Sequence, residues 1–217
     1  MTAFNHNAQA VQHRHAYPRV FADFSRRRIG LLGGSFNPAH DGHAHIADMA
    51  AEQLQLDQVW WLVSPQNPLK STQDMGSFSA RFESALAMAS TCRLAHKMVV
   101  TDLESHLGVQ HTALTLKTIR SRLRHCQLVW IMGADNLVHF HRWHQPKVIA
   151  KTMAMAVVNR PGDVAPALAS RGARIAGKKI PARRLIARQC PAKTWSFLRG
   201  AMNTQSASAI RAQQNAT

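Results

Sequence analysis

The sequence predicts an α/β protein built on a doubly wound parallel sheet. Three observations lead there. Short apolar runs recur along the chain, helical patterns separate them, and polar stretches rich in Gly, Pro, Asn and His follow the runs. Alternation of strands and helices encodes a parallel sheet covered on both faces. In such sheets ligands bind outside the carboxyl ends of the strands.

The candidate strands are 29–32, 59–63, 98–100, 128–132, 155–158 and 195–198. Each is short, apolar and bounded by turn residues, as a strand buried on both faces should be. The candidate helices are 42–54, 79–90, 112–123, 148–150 with its preceding turn, and 208–213. The Ala/Arg-rich stretch 165–188 shows no clear period and is expected to be a flexible surface segment. The polar stretches have definite places. "GGSFNPAHDGH" follows the first strand, "SPQNPLK" the second, "GADNL" the fourth, "NRPG" the fifth and "NTQSASAIR" the last. They gather at one edge of one sheet.

The 217 residues, 46% of them hydrophobic, suit a single domain over 28–217, preceded by a polar extension over 1–27 that is expected to be flexible. No apolar run reaches the roughly 18 residues of a membrane span. The start of the chain lacks the apolar centre of a signal peptide. Three cysteines, odd in number and without a CxxC, argue against a disulfide framework and suit a reducing, cytoplasmic setting. The formal charge of +16 suggests an anionic partner. Basic residues cluster at 26–28 and 171–188 without interleaved aromatics, and no zinc-finger, RRM or KH pattern occurs. A solvated surface is therefore preferred over a nucleic-acid stripe.

His40 and His43 stand three apart, just after Gly33-Gly34 and where the first helix should begin. That spacing puts both rings on one side of a first turn. A helix start is an anion site, because its N–H groups are unpaired and its dipole end is positive. Gly33 and Gly34 would let backbone amides approach a ligand. Beside a polyphosphate, histidine favours its imidazolium form. A metal site at His40, His43 and His45 lacks a supporting Cys or acidic cluster, and no metal is expected on these side chains. With 13 histidines in the chain, some clustering is also expected by chance. GxxxxGK[ST] and GxGxxG are both missing, so neither a Walker loop nor a standard dinucleotide fingerprint applies.

"GGSFNPAHDGH" resembles the signature of the nucleotidyltransferase superfamily that carries an HxGH motif. "WWLVSPQNPLK", "IMGADNLVHFHRWHQPKVIA", "VVNRPGD" and "SASAIR" narrow the resemblance to the bacterial nicotinate-nucleotide adenylyltransferase family, over about residues 28–211. The resemblance implies a Rossmann-like sheet of the nucleotidyltransferase type. It implies an enzyme of pyridine nucleotide biosynthesis that uses ATP, with Mg²⁺ carried in on the ATP, and nicotinate mononucleotide.

The resemblance also implies roles. His40, His43 and Arg211 would be catalytic. Gly33, Gly34, Ser35, Phe36, Gly133, Asp135, Ser206 and Ser208 would bind ATP. Lys70, Thr112 and Trp143 would bind the mononucleotide. Two departures stand out: Ala207-Ser208 replaces the family's Ser-Thr, and His144 follows Trp143 where another aromatic is usual. Bland readings stand beside these roles. Asp135 could cap the following helix, Trp60 is read as a core or wall residue, Arg160 could serve a turn, and Asp102 and Glu104 are read as a solvated strand end. The alternatives are another adenylyltransferase of the superfamily, such as the pantetheine-phosphate enzyme, or a non-catalytic nucleic-acid-binding relative. "SPQNPLK" and "FHRWH" tell against the first, and intact His40, His43 and Arg211 against the second.

Overall fold

The computed structural model describes residues 12–13 (backbone only), 26–65, 75–109, 111–159, 164–185 and 192–200. Its strands are β1 (Gln12–His13), β2 (Arg28–Gly34), β3 (Gln58–Val63), β4 (Met98–Thr101), β5 (Gln127–Gly133), β6 (Ala154–Val158), β7 (Lys178–Lys179) and β8 (Thr194–Leu198). They form one eight-stranded sheet in the order β1-β4-β3-β2-β5-β6-β8-β7. Every pairing is parallel. All the strands expected from the apolar runs are present.

The side chains alternate as a pleated sheet requires. Ile29, Leu31, Trp60 and Leu62 enter one buried layer, while Leu32, Val59, Trp61 and Val63 enter the other. Burial on both faces is why these runs read as continuous apolar stretches and not as alternating ones. The first layer packs under α3 (Leu103–His106), α4 (Thr112–Arg122), α5 (Ala134–His139) and α6 (Pro146–Thr152). The second packs under α1 (Asp41–Gln53) and α2 (Phe78–Ser90).

Helix starts follow local chemistry. Ser77 accepts the N–H of Ala80 at 3.2 Å to begin α2. Pro146 opens α6, directly after Gln145 at a φ of 50°. A proline at the first helical position gives up only an N–H that would be unpaired there.

Two expectations are corrected. The extension over 1–27 is expected to lie outside the sheet, but Gln12 and His13 pair with Val99 and Val100 and cover the outer edge of β4. The stretch 165–188 is not a loose surface segment where it is described. It folds into α7 (Val164–Ala169), α8 (Arg171–Ala176), β7 and α9 (Ala182–Leu185), burying Ala167, Ala173, Ala176 and Leu185. Small residues hid this packing. A Cβ on Gly172 would lie 1.8 Å from the Leu137 carbonyl oxygen, so α8 meets the end of α5 backbone to backbone. Alanine and glycine carry little hydrophobic signal, although they permit the closest approach. The expected helix 208–213 lies outside the described residues.

Candidate active site

The strand order reverses between β2 and β5, which are neighbours in space although β3 and β4 intervene in sequence. Such a reversal opens a crevice at the carboxyl ends of the two strands, where doubly wound sheets bind ligands. β2 ends there with Gly33-Gly34, and β5 ends with Gly133. The stretches "GGSFNPAHDGH" and "GADNL" therefore flank one crevice.

His40 is the N-cap of α1, and the two histidines build a reciprocal cap. His40 Nδ1 accepts the backbone N–H of Gly42 at 3.1 Å, and His43 Nδ1 accepts that of His40 at 3.2 Å. The rings lie 3.9 Å apart between centroids. This is the geometry of a capping box with imidazoles in place of hydroxyl and carboxylate. With Nδ1 accepting, each neutral ring carries its proton on Nε2. In this arrangement each ring turns its Nε2–H edge away from the cap.

Behind the histidines, Phe36 stacks on Trp61 at 5.2 Å and meets His43 edge-on at 4.9 Å. Phe36 adopts a φ of 47° and is 1% exposed, so its ring belongs to the core and only its backbone borders the turn. The glycines have a packing reason as well. A Cβ on Gly33 would lie 2.3 Å from the Trp130 ring, and one on Gly34 3.0 Å from the Phe36 ring. Ser35 is buried, with its carbonyl turned to a guanidinium.

Asp135 is the second residue of α5, whose N-cap is Gly133 without a side-chain cap bond. Two of the mononucleotide candidates, Thr112 and Trp143, are linked through their chain neighbours. Trp143 follows the 3₁₀ turn Phe140–Arg142 and stands edge-on to Trp130 at 6.3 Å and to Phe140 at 5.6 Å. Thr112 opens α4, and His111 before it stacks on His144 at 4.1 Å, joining the start of α4 to the Trp143 loop. Trp130 thus lies between the glycine turn and Trp143. Lys70, Arg160, Ser206, Ser208 and Arg211 lie outside the described residues.

Trp60 is fully buried, as a core residue. Glu104 departs from its expected solvated strand end. It is 8% exposed and accepts the Thr115 hydroxyl at 2.8 Å. Burial pushes its carboxyl up to about 7, against the lowering effect of the Thr115 hydrogen bond. Asp102 remains half-buried, with His106 Nδ1 3.3 Å away. Arg81, His111 and Trp130 were not singled out from sequence. For Arg81 a signal existed: it falls on the same face as the buried Phe82, Ala85 and Ala89.

The cytidylyltransferase-like family profile matches residues 31–213. A nucleotidyltransferase class thus joins a fold and crevice of the matching kind. A probable nicotinate-nucleotide adenylyltransferase of Erythrobacter litoralis is 47% identical over 186 residues, covering 85% of this chain and 83% of the relative. Proteins with the same name from Roseobacter denitrificans and a Caulobacter species are each 43% identical, covering 85% and 86% of this chain and 92% and 98% of the relatives. Among solved structures, the Plasmodium falciparum nicotinic acid mononucleotide adenylyltransferase complexed with NaAD shares the fold. Its TM-score is 0.66 at 16% identity, over 86% of this chain and 83% of that one. The chain belongs to the cytidylyltransferase-like family and, within it, to the nicotinate-nucleotide adenylyltransferases.

Proposed function

We propose that the chain transfers the adenylyl group of ATP to nicotinate mononucleotide, a step of NAD biosynthesis in the cytoplasm. The observation that carries this reading is the His40–His43 helix start at the strand-order reversal, in a chain whose relatives bear the name of this activity. An oxygen of the mononucleotide phosphate attacks the α-phosphorus of ATP. The bond from that phosphorus to the oxygen bridging the α- and β-phosphates breaks, and pyrophosphate leaves. The attacking phosphate is already ionised, so no general base is needed. Catalysis reduces to positioning and charge stabilisation.

The roles combine the family's motifs with the groups that border the crevice. The Nε2–H groups of His40 and His43 would donate to the phosphates as charge moves toward the leaving group. The backbone of Gly33, Gly34, Ser35 and Phe36 would line the triphosphate. Gly133 and Asp135 would hold the adenosine, since a carboxylate accepts from ribose hydroxyls. Unpaired N–H groups at the Thr112 end of α4 would receive the nicotinate carboxylate, and Trp143 would stack on the pyridine ring. Lys70 would meet the mononucleotide phosphate, and Ser206, Ser208 and Arg211 the β- and γ-phosphates. Mg²⁺ would enter with ATP as part of the substrate.

The test is pyrophosphate release from ATP with nicotinate mononucleotide, nicotinamide mononucleotide and phosphopantetheine offered in parallel. Nicotinate mononucleotide should be used at least several-fold better than the amide. An amide NH₂ facing donors leaves buried polar groups unmatched, at about 1–3 kcal/mol. That preference should persist at raised salt, which screens diffuse attraction but not a buried contact. Equal kcat/KM for the acid and the amide would remove the acid specificity. Turnover with phosphopantetheine alone would move the chain to the other adenylyltransferase class. Salt-sensitive RNA binding without turnover would replace the enzyme reading altogether.

A further inference from the structure

Arg81 sits in the first turn of α2 and is 3% exposed. A buried guanidinium normally faces a carboxylate, because an unpaired charge in the interior is costly. Among the described residues this one meets none. Its hydrogen bonds go to four main-chain carbonyls: Nε to Gly76 at 3.1 Å, Nη1 to Ser35 at 2.8 Å and to Ser64 at 2.7 Å, and Nη2 to Pro65 at 2.8 Å. The Phe78 ring lies 5.5 Å from the guanidinium carbon.

The carbonyls belong to three different segments. Ser35 directly follows β2 and leads into the His40–His43 helix start. Ser64 and Pro65 directly follow β3 and begin the "SPQNPLK" stretch. Gly76 precedes α2, and its N–H is bound by Asn37 Oδ1 at 3.0 Å, a second tie to the turn after β2. One planar fork therefore sets the spacing between the turn assigned to ATP and the turn assigned to the incoming mononucleotide. Backbone carbonyls are the right partners for this task. They fix main chain and not a rotatable side chain, and the guanidinium presents its donors in one plane with fixed angles. The cost of burying the charge is offset by four oriented dipoles.

We propose that Arg81 is a positioning residue for adenylyl transfer, holding the loops after β2 and β3 in the mutual register that in-line attack requires. The proposal rests on the adenylyl-transfer reading above. A misplacement of about 1 Å between reacting groups can cost about 100-fold in rate, so the effect should appear in kcat and not in binding.

The experiment compares Arg81→Lys and Arg81→Ala with wild type, at a temperature below the melting point of each. It measures kcat, KM for each substrate and Tm, with and without ethylguanidinium. Lysine keeps charge and bulk but cannot reproduce the fork. The expected result is a 10- to 100-fold fall in kcat for folded Arg81→Lys, with KM for ATP within about threefold of wild type. Ethylguanidinium should restore at least tenfold of the kcat of Arg81→Ala and leave wild type unchanged. Wild-type kcat in folded Arg81→Lys with only a lower Tm would overturn the proposal, as would a rise confined to KM. Rescue of the Tm of Arg81→Ala without rescue of kcat would also overturn it. If Arg81→Ala yields no folded protein, Arg81→Lys decides. Absence of turnover in wild type would instead defeat the adenylyl-transfer reading.

Discussion

His43 Nδ1 accepts the backbone N–H of His40, while His40 Nδ1 accepts that of Gly42. The two rings thus hold the helix start with one nitrogen each and direct the other nitrogen elsewhere. The phosphate contacts proposed for these side chains would use the ring edge that the cap leaves over.

His43→Ala should therefore show two separable effects. Removing one preorganised donor should lower kcat about 10²- to 10³-fold. Losing one cap bond should lower stability by about 1 kcal/mol, leaving the fold intact. Steady-state kinetics and denaturant titration read the two effects independently. Near-wild-type turnover in the folded variant would rule out the catalytic role.

Gly33→Ala should destabilise, because the added methyl would lie 2.3 Å from the Trp130 ring. Overpacking of this kind costs about 1–3 kcal/mol. Trp130→Phe should relieve part of the clash, so the double variant should be more stable than the sum of the single effects predicts. Strict additivity in chemical denaturation would show that the glycine is needed for another reason.

Glu104 should make stability depend on pH. Burial raises its carboxyl from an ordinary 4.5 to about 7, so the folded state binds the proton more tightly than the unfolded state. Its contribution is fully present below about 4.5 and is lost as pH rises through about 7, with a total on the order of 3 kcal/mol. Glu104→Gln keeps an acceptor for the Thr115 hydroxyl and should abolish this part of the slope. Urea unfolding at pH 5 and pH 8 checks it, and an unchanged slope in the variant would contradict the assignment.

Removal of residues 1–25 should leave kcat close to wild type, because Gln12 and His13 pair far from the β2–β5 crevice, on the outer edge of β4. The deletion should expose the main-chain groups of Val99 and Val100, and an open edge is a template for association. Light scattering against concentration should rise relative to the full chain. A large loss of turnover would place part of the extension in the site.

Some of this was legible early for a simple reason. The strands are buried on both faces, so each wrote a compact apolar run into the sequence, and the turns after them wrote Gly, Pro, His and Asn. Other features left weaker traces. Gly172 approaches the Leu137 carbonyl because it has no side chain, which is also why periodicity missed α8. Glu104 looked like a solvated strand end, because its burial depends on Thr115 in the next helix. Arg81 did leave a trace, a lone cation on an apolar helix face, which could have been read as a buried charge awaiting partners.

The sequence by itself determined the α/β class, the positions of the central strands along the chain, the helix start at His40–His43 and the family, because each is written in local pattern or contiguous motif. Only the tertiary structure decided which turns meet. The crevice exists because β5 crosses back to lie beside β2, a pairing that no local propensity encodes. The Arg81 fork exists because two adjacent parallel strands end within reach of one guanidinium. Trp130 can touch both Gly33 and Trp143 only after the sheet has formed. Contacts between residues far apart in sequence depend on loop closure and packing, and so they are settled by the fold as a whole.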